Sequence, residues 1–215
     1  MNNELLIVIL TDNNWLYVGL AALMRERACL PLCFSTASLP HIINDAGRVL
    51  VIVDSRISLR GEWSTLNELW AQRPDATLVW LTLNITGRIF PEVSLGDRVL
   101  AQKQDITALH HVLIRILRCP ESPAECIEDI GLTQTERRLL PYFVSGLRMN
   151  VVSRLTGKPV KTLYTHRQKI LTKTGFRQPA FLQFVYERNY GLPGISGLEH
   201  TSKELQHEGR NECTV

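Results

Sequence analysis

Three short runs constrain this chain more than any other feature: Leu5–Leu10 (LLIVIL) and Val49–Val53 (VLVIV), apolar throughout, and Thr77–Leu83 (TLVWLTL), apolar but for two threonines. Each is the length of one strand. Unbroken rather than alternating apolar character fits strands buried on both faces. Between them lie stretches of helical spacing: Asp12–Glu26, with Trp15, Leu16, Leu20, Leu23 and Met24 on one side, and Trp63–Gln72. Val99–Ala101 reads as a short further strand, and a weaker one is expected near Leu32–Phe34. Asp105 is placed to cap a helix over Ile106–Leu117. Strands alternating with helices imply a parallel sheet with helices on both faces, so residues 1–118 are expected to form a doubly wound α/β domain.

The text changes after that. Residues 119–131 (CPESPAECIEDIG) are rich in Pro, Glu and Ser and read as a linker. Residues 132–190 carry only helical patterns, and residues 191–215 are polar and glycine-punctuated, as expected of a largely disordered tail. Within 132–190, Thr133 and Glu136 have the spacing of a capping box, and Gly146 is placed to end the helix they start. A second helix is expected over Met149–Thr156, then a Gly157-Lys158-Pro159 turn and a third helix over Val160–Thr174, closed by Gly175. A fourth runs from Pro179 to about Asn189. Two short helices joined across a glycine turn form a helix-turn-helix, whose helix after the turn enters the major groove of DNA.

Charge is segregated the same way. Residues 1–131 carry 11 Lys+Arg against 15 Asp+Glu, a net −4, whereas residues 132–190 carry 11 against 2, a net +9. The tail carries 2 against 4, for −2. A small, strongly basic helical domain beside an acidic one is suited to a polyanion. On the third helix, Leu163, His166, Ile170 and Thr174 share one side at spacings of three and four. The open side is then left with Lys161, Thr162, Tyr164, Thr165, Arg167, Gln168, Lys169, Thr172 and Lys173. Cations there suit phosphates, while hydroxyl and amide groups suit base edges.

Other classes find less support. No apolar run approaches the roughly 18 residues of a membrane span. No secretory signal is visible, so a cytoplasmic, nucleoid-associated protein is expected. The five cysteines are odd in number and lack CxxC pairing, which suits reduced thiols rather than disulfides or zinc. Neither a nucleophilic triad, a P-loop nor a dinucleotide glycine motif is present, and no enzyme is expected.

These residues resemble a known family. Leu132-Thr133-Gln134-Thr135-Glu136, Gly146-Leu147, Val152-Ser153, Lys161-Thr162-Leu163, His166 and Ile170 fall in register with the C-terminal domain of LuxR/FixJ/NarL-type regulators. By that register the base-reading positions fall on Tyr164, Thr165 and Gln168. Thr156 and Thr174 stand at usual leucine positions, and Pro159 stands where serine usually caps the recognition helix. The first half is similar to the receiver domain of the same family, a flavodoxin-like fold. Asp54 matches the phosphoryl-accepting aspartate, Thr82 the switch hydroxyl and Lys103 the lysine that pairs with the phosphoryl group.

Asp12 matches one acid of the metal pair, but Thr11 stands where the second is expected. That leaves at most a weak site for Mg2+ at Asp12 and Asp54 and no other cofactor or metal. Gly87 and Pro91 break up the segment of the fourth receiver helix, and Leu100 stands near the aromatic switch position. Asp54 is therefore either a phosphoryl acceptor or a strand-end aspartate capping a loop.

An intact DNA-binding domain beside an eroded receiver is similar to the auxiliary regulators related to RcsA and BglJ, which pair with a fuller family member. The resemblance implies double-stranded DNA, a homodimer or a heterodimer with another LuxR-type regulator, and contact with RNA polymerase. Three functions are left open: a DNA-binding regulator controlled by a partner or by expression level, the same regulator controlled by aspartyl phosphorylation, and a protein-interaction or phosphotransfer module whose basic end contacts some other acidic surface.

Overall fold

The computed structural model describes residues 5–83, 87–88, 98–119 and 131–189. It divides into two compact units, residues 1–84 with 96–127, and residues 85–95 with 128–215. The expected tail falls outside the described residues, as do Pro91 and all of the expected linker but Cys119 and Gly131.

In the first unit the strands β1 (Leu5–Leu10), β2 (Ala28–Leu32), β3 (Arg48–Asp54), β4 (Thr77–Thr82) and β5 (Arg98–Ala101) form one parallel sheet in the order β2-β1-β3-β4-β5. That order reverses between β1 and β3, and ligands of such sheets bind in the crevice at the carboxyl ends of the strands there. The helices α1 (Asn14–Leu23), α2 (Ile42–Asp45), α3 (Ile57–Arg60), α4 (Ser64–Gln72) and α5 (Ile106–Arg118) complete the unit. Ile7, Ile9, Leu50, Ile52, Val79 and Leu81 alternate along the strands onto one face and pack with Leu20 of α1 and Leu113 and Ile116 of α5. On the opposite face Trp80 is fully buried, and its ring lies 6.2 Å from that of Trp63 at the start of α4. The unbroken apolar runs are thus explained by burial on both sides.

The capping residues act locally. Asn13 accepts the Trp15 N–H at 3.2 Å to start α1, and Asp105 accepts those of Thr107 and Ala108 at 2.9 and 3.0 Å to start α5. β2 begins four residues earlier than the expected Leu32–Phe34. It is an edge strand, where Pro31 is tolerated opposite Ile9, and with only Leu32 of its five residues buried it shows no run of bulky apolar side chains.

The second unit holds α6 (Gln134–Val144), α7 (Met149–Thr156), α8 (Val160–Thr174) and α9 (Pro179–Arg188). The capping box is formed: the Thr133 hydroxyl accepts the Glu136 N–H at 3.2 Å, and the Glu136 carboxylate accepts the Thr133 N–H at 2.8 Å. Leu139, Leu140 and Phe143 of α6, Val152 of α7, Leu163, Ile170 and Leu171 of α8 and Leu182 and Val185 of α9 are buried together. The fold is a receiver-like, doubly wound α/β domain followed by an all-α helix-turn-helix domain. Among the described residues, no helix is long and apolar enough to cross a membrane.

Candidate nucleic-acid interface

The turn between α7 and α8 is set by two features. Gly157 has φ +64, the left-handed conformation that a side chain disfavours, and the Ser153 hydroxyl donates to the Lys158 carbonyl at 2.6 Å. Together they tie the end of α7 to the start of α8. The two threonines at usual leucine positions bond back along their own helices, Thr156 to the Val152 carbonyl and Thr174 to the Ile170 carbonyl, each at 2.7 Å. A buried hydroxyl thereby avoids the cost of an unmade hydrogen bond. With Thr156 half-buried in this way, Leu155 is displaced outward and exposed.

On α8 the inward stripe is as expected at Leu163, Ile170 and Thr174, all fully buried, and His166 lies half-buried beside them. The Nδ1 of His166 is buried without a hydrogen-bond partner among the described residues. Leu171 also faces the core, which the spacing did not single out.

Lys161, Thr162, Tyr164, Thr165, Gln168 and Lys169 lie exposed on the other side. Tyr164 is 48% exposed and stacks under the Arg167 guanidinium, whose Cζ lies 4.7 Å from the ring centroid. That contact holds a planar cation and a phenol side by side on the open face. The Thr165 hydroxyl donates to the Lys161 carbonyl at 3.2 Å, one turn back. Lys161 and Lys169 make no ion pair among the described residues.

Lys173 departs from the expected open face. Its ammonium lies 2.7 Å from the Glu136 carboxylate and 2.8 Å from the Gly131 carbonyl, so it is a strut between α8 and the start of α6. Burial alone would raise the Glu136 carboxyl, but hydrogen bonds from Lys173 and Thr133 outweigh it and hold the carboxyl below its ordinary value.

At the carboxyl ends of β1, β3 and β4 the receiver-like residues converge only in part. Asp54 is 1% exposed; its carboxylate accepts the Thr11 hydroxyl at 2.8 Å and the Arg56 N–H at 3.1 Å, with the Arg56 guanidinium at 3.8 Å. Asp12 accepts the Phe34 N–H at 3.0 Å and faces the Arg60 guanidinium at 3.9 Å. The Thr82 hydroxyl donates to the Leu100 carbonyl at 3.3 Å, and Lys103 is exposed and unpaired with Asp54. Arg56 and Arg60 were not anticipated. Their only sequence signal is their place two and six residues after Asp54.

Neither a family model nor a curated protein sequence matches the chain. Solved structures do match it. A structure of two RcsB dimers bound to two parallel DNAs is 15% identical, with a TM-score of 0.60, over 87% of this chain and 100% of that one. The two-component response regulator RcsB in complex with DNA gives 12% identity and a TM-score of 0.58 over the same shares. RcsB from Salmonella enterica serovar Typhimurium, bound to promoter P1flhDC with a phosphomimetic, gives 11% and 0.54, covering 88% of this chain and 100% of that one. At these identities the likeness is one of fold: the chain has the fold of RcsB-type response regulators, a receiver-like unit followed by a helix-turn-helix.

Proposed function

We propose that this chain is a sequence-specific DNA-binding transcription regulator that reads promoter DNA through α8. It acts as a homodimer or as a heterodimer with a related regulator, independently of phosphorylation. The observation that carries this reading is the open face of α8, where Lys161, Arg167 and Lys169 flank Tyr164, Thr165 and Gln168 on a helix fixed by the Gly157 turn. The RcsB structures of the same fold hold DNA, and one of them holds dimers.

Two half-sites about one helical turn apart are expected, because a single short helix reads only a few base pairs. The test is binding of the full-length protein to such a duplex against salt, with stoichiometry read in the same titration. Nanomolar-range, salt-sensitive binding of two chains per duplex is expected; binding of no duplex at low salt would remove the proposal. Gln168→Ala and Thr165→Ala are expected to alter preference among sequences by about 1 to 3 kcal/mol, while leaving affinity for unrelated DNA intact.

Phosphorylation independence rests on the Asp54 pocket. Mg2+ wants hard oxygens with their lone pairs free. Here Thr11 and the Arg56 N–H donate to the Asp54 carboxylate, and two guanidinium groups stand by Asp54 and Asp12. The residues present do not fit the ion. Asp54 is instead read as a strand-end cap. Asp54→Ala is expected to bind promoter DNA within about twofold of wild type, yet to destabilise the α/β unit by about 1 to 3 kcal/mol, because the Thr11 hydroxyl loses its acceptor. Tryptophan-monitored urea unfolding measures the second effect. Loss of DNA binding by a folded Asp54→Ala protein would restore phosphorylation control.

A further inference from the structure

The first unit is acidic overall, yet one end of it is not. Between the carboxyl-terminal end of α1 and the length of α5, at the amino-terminal ends of β1, β2 and β3, runs a groove of about 1120 Å³. Its apolar lining includes Leu23 and Ile114, half-buried, and Leu117, buried. Arg25, Arg27 and Arg118 stand exposed around it and make no ion pair among the described residues. Arg48 lines it too, its guanidinium donating to the Leu117 carbonyl at 3.2 Å. Glu26 is the one carboxylate among the lining residues.

The geometry points to a docking site for an acidic amphipathic helix of a partner protein, its apolar side chains seated in the α1–α5 groove and its carboxylates paired with Arg25, Arg27 and Arg118.

Four considerations select that occupant. α5 has 13 residues, about 20 Å at the usual rise, and so offers a trough long enough for several turns of a second helix. Helix-in-groove recognition takes apolar anchors at helical spacing from the guest and charge pairing from the rim. A second copy joined symmetrically here would bring the same patch from both sides, four arginines with one glutamate on each, and so crowd like charges together. Nucleic acid would meet the arginines but has no apolar anchors for the lining. This surface lies on the α/β unit and does not depend on the DNA reading of α8.

The test uses the full-length protein without DNA and a fluorescein-labelled 18-residue helical peptide with leucines on one face and glutamates elsewhere. A matched peptide with lysines for glutamates is the control, and both are followed by fluorescence anisotropy. Saturable binding of the glutamate peptide is expected, and at least about tenfold weaker binding of the lysine peptide.

Arg25→Glu/Arg27→Glu/Arg118→Glu together should invert that preference, since these exposed side chains serve no buried contact. Ala22→Trp, which narrows the groove at its rim without changing charge, should weaken the glutamate peptide about tenfold. Inverted preference in the triple variant with unchanged promoter affinity supports the site. Failure of wild type to bind the glutamate peptide, equal binding of both peptides, or an unchanged preference in the triple variant overturns it. So does binding of phosphatidylglycerol vesicles or duplex DNA that is lost in the triple variant when the peptide is not bound.

Discussion

A protein carrying Lys161→Glu and Lys169→Glu is expected to lose promoter binding on the order of a hundredfold at moderate salt, while its fold is unchanged. Both ammonium groups are exposed on α8 and have no carboxylate partner among the described residues, so their removal leaves no buried group unsatisfied. Each phosphate that a cation neutralises contributes about 0.9 to the slope of log affinity against log salt. The double alanine variant should therefore flatten that slope by about two, and the charge-reversed variant should add repulsion.

Unrelated and cognate duplexes should weaken together, because a phosphate carries no sequence information. Gln168→Ala behaves differently under the same assay, narrowing the gap between cognate and unrelated DNA. An undiminished slope in the double alanine variant would place the DNA on some other face.

What could be read from the chain depended on whether the cause was local. The runs in β1, β3 and β4 were legible because the middle of a central strand in a parallel sheet is buried on both faces and favours apolar residues at every position. β2 was misplaced by a few residues because an edge strand carries no such demand. α2 and α3 are single turns and have too few residues to show a period. On the helical side, the capping box, the Gly157 turn and the buried stripe of α8 all follow from spacing within one or two turns, and all were legible.

The pairings that cross the chain were not. Thr11 reads in sequence as a missing carboxylate. In the fold it is a donor to Asp54, 43 residues away, so the position where the resemblance leads one to expect an acid holds a neutral partner for Asp54. Arg56 and Arg60 have the same long-range character: a turn of unremarkable composition brings two cations over the strand ends. Lys173 was read as an outward cation because it lies off the stripe of Leu163, His166, Ile170 and Thr174. It lies seven residues after the half-buried His166, however, and so flanks the buried stripe. The carboxylate it meets is that of Glu136, which the capping box turns back toward the start of α6.

That pairing is where the helical domain should be most vulnerable. Glu136 is 2% exposed, and its carboxylate is held by the Lys173 ammonium at 2.7 Å and the Thr133 N–H at 2.8 Å. Lys173→Met keeps the stem that packs beside α6 but strands the carboxylate. Breaking a buried pair from one side costs roughly 3 to 5 kcal/mol; with the lysine side chain 32% exposed, water reaches the site and about 2 to 3 kcal/mol is expected. For a domain of this size that lowers the melting temperature by roughly 10 to 20 °C.

The pH dependence has a definite sign. The Glu136 carboxyl lies below its ordinary value of 4.5 in the folded protein, so its contribution is present above that value and is lost as pH falls through the lower, folded one. Lys173→Met should thus be most impaired near neutrality, and its deficit should shrink in acid, where a protonated Glu136 needs no cation.

The four tryptophans, Trp15, Trp63, Trp70 and Trp80, all belong to the α/β unit, which separates the two transitions in the intact protein. Helical circular dichroism should show the early transition of the variant while tryptophan fluorescence does not move. A deficit of equal size at pH 7 and pH 3 would mean that Lys173 contributes packing alone, and that the charge of Glu136 is stabilised by its backbone partner without it.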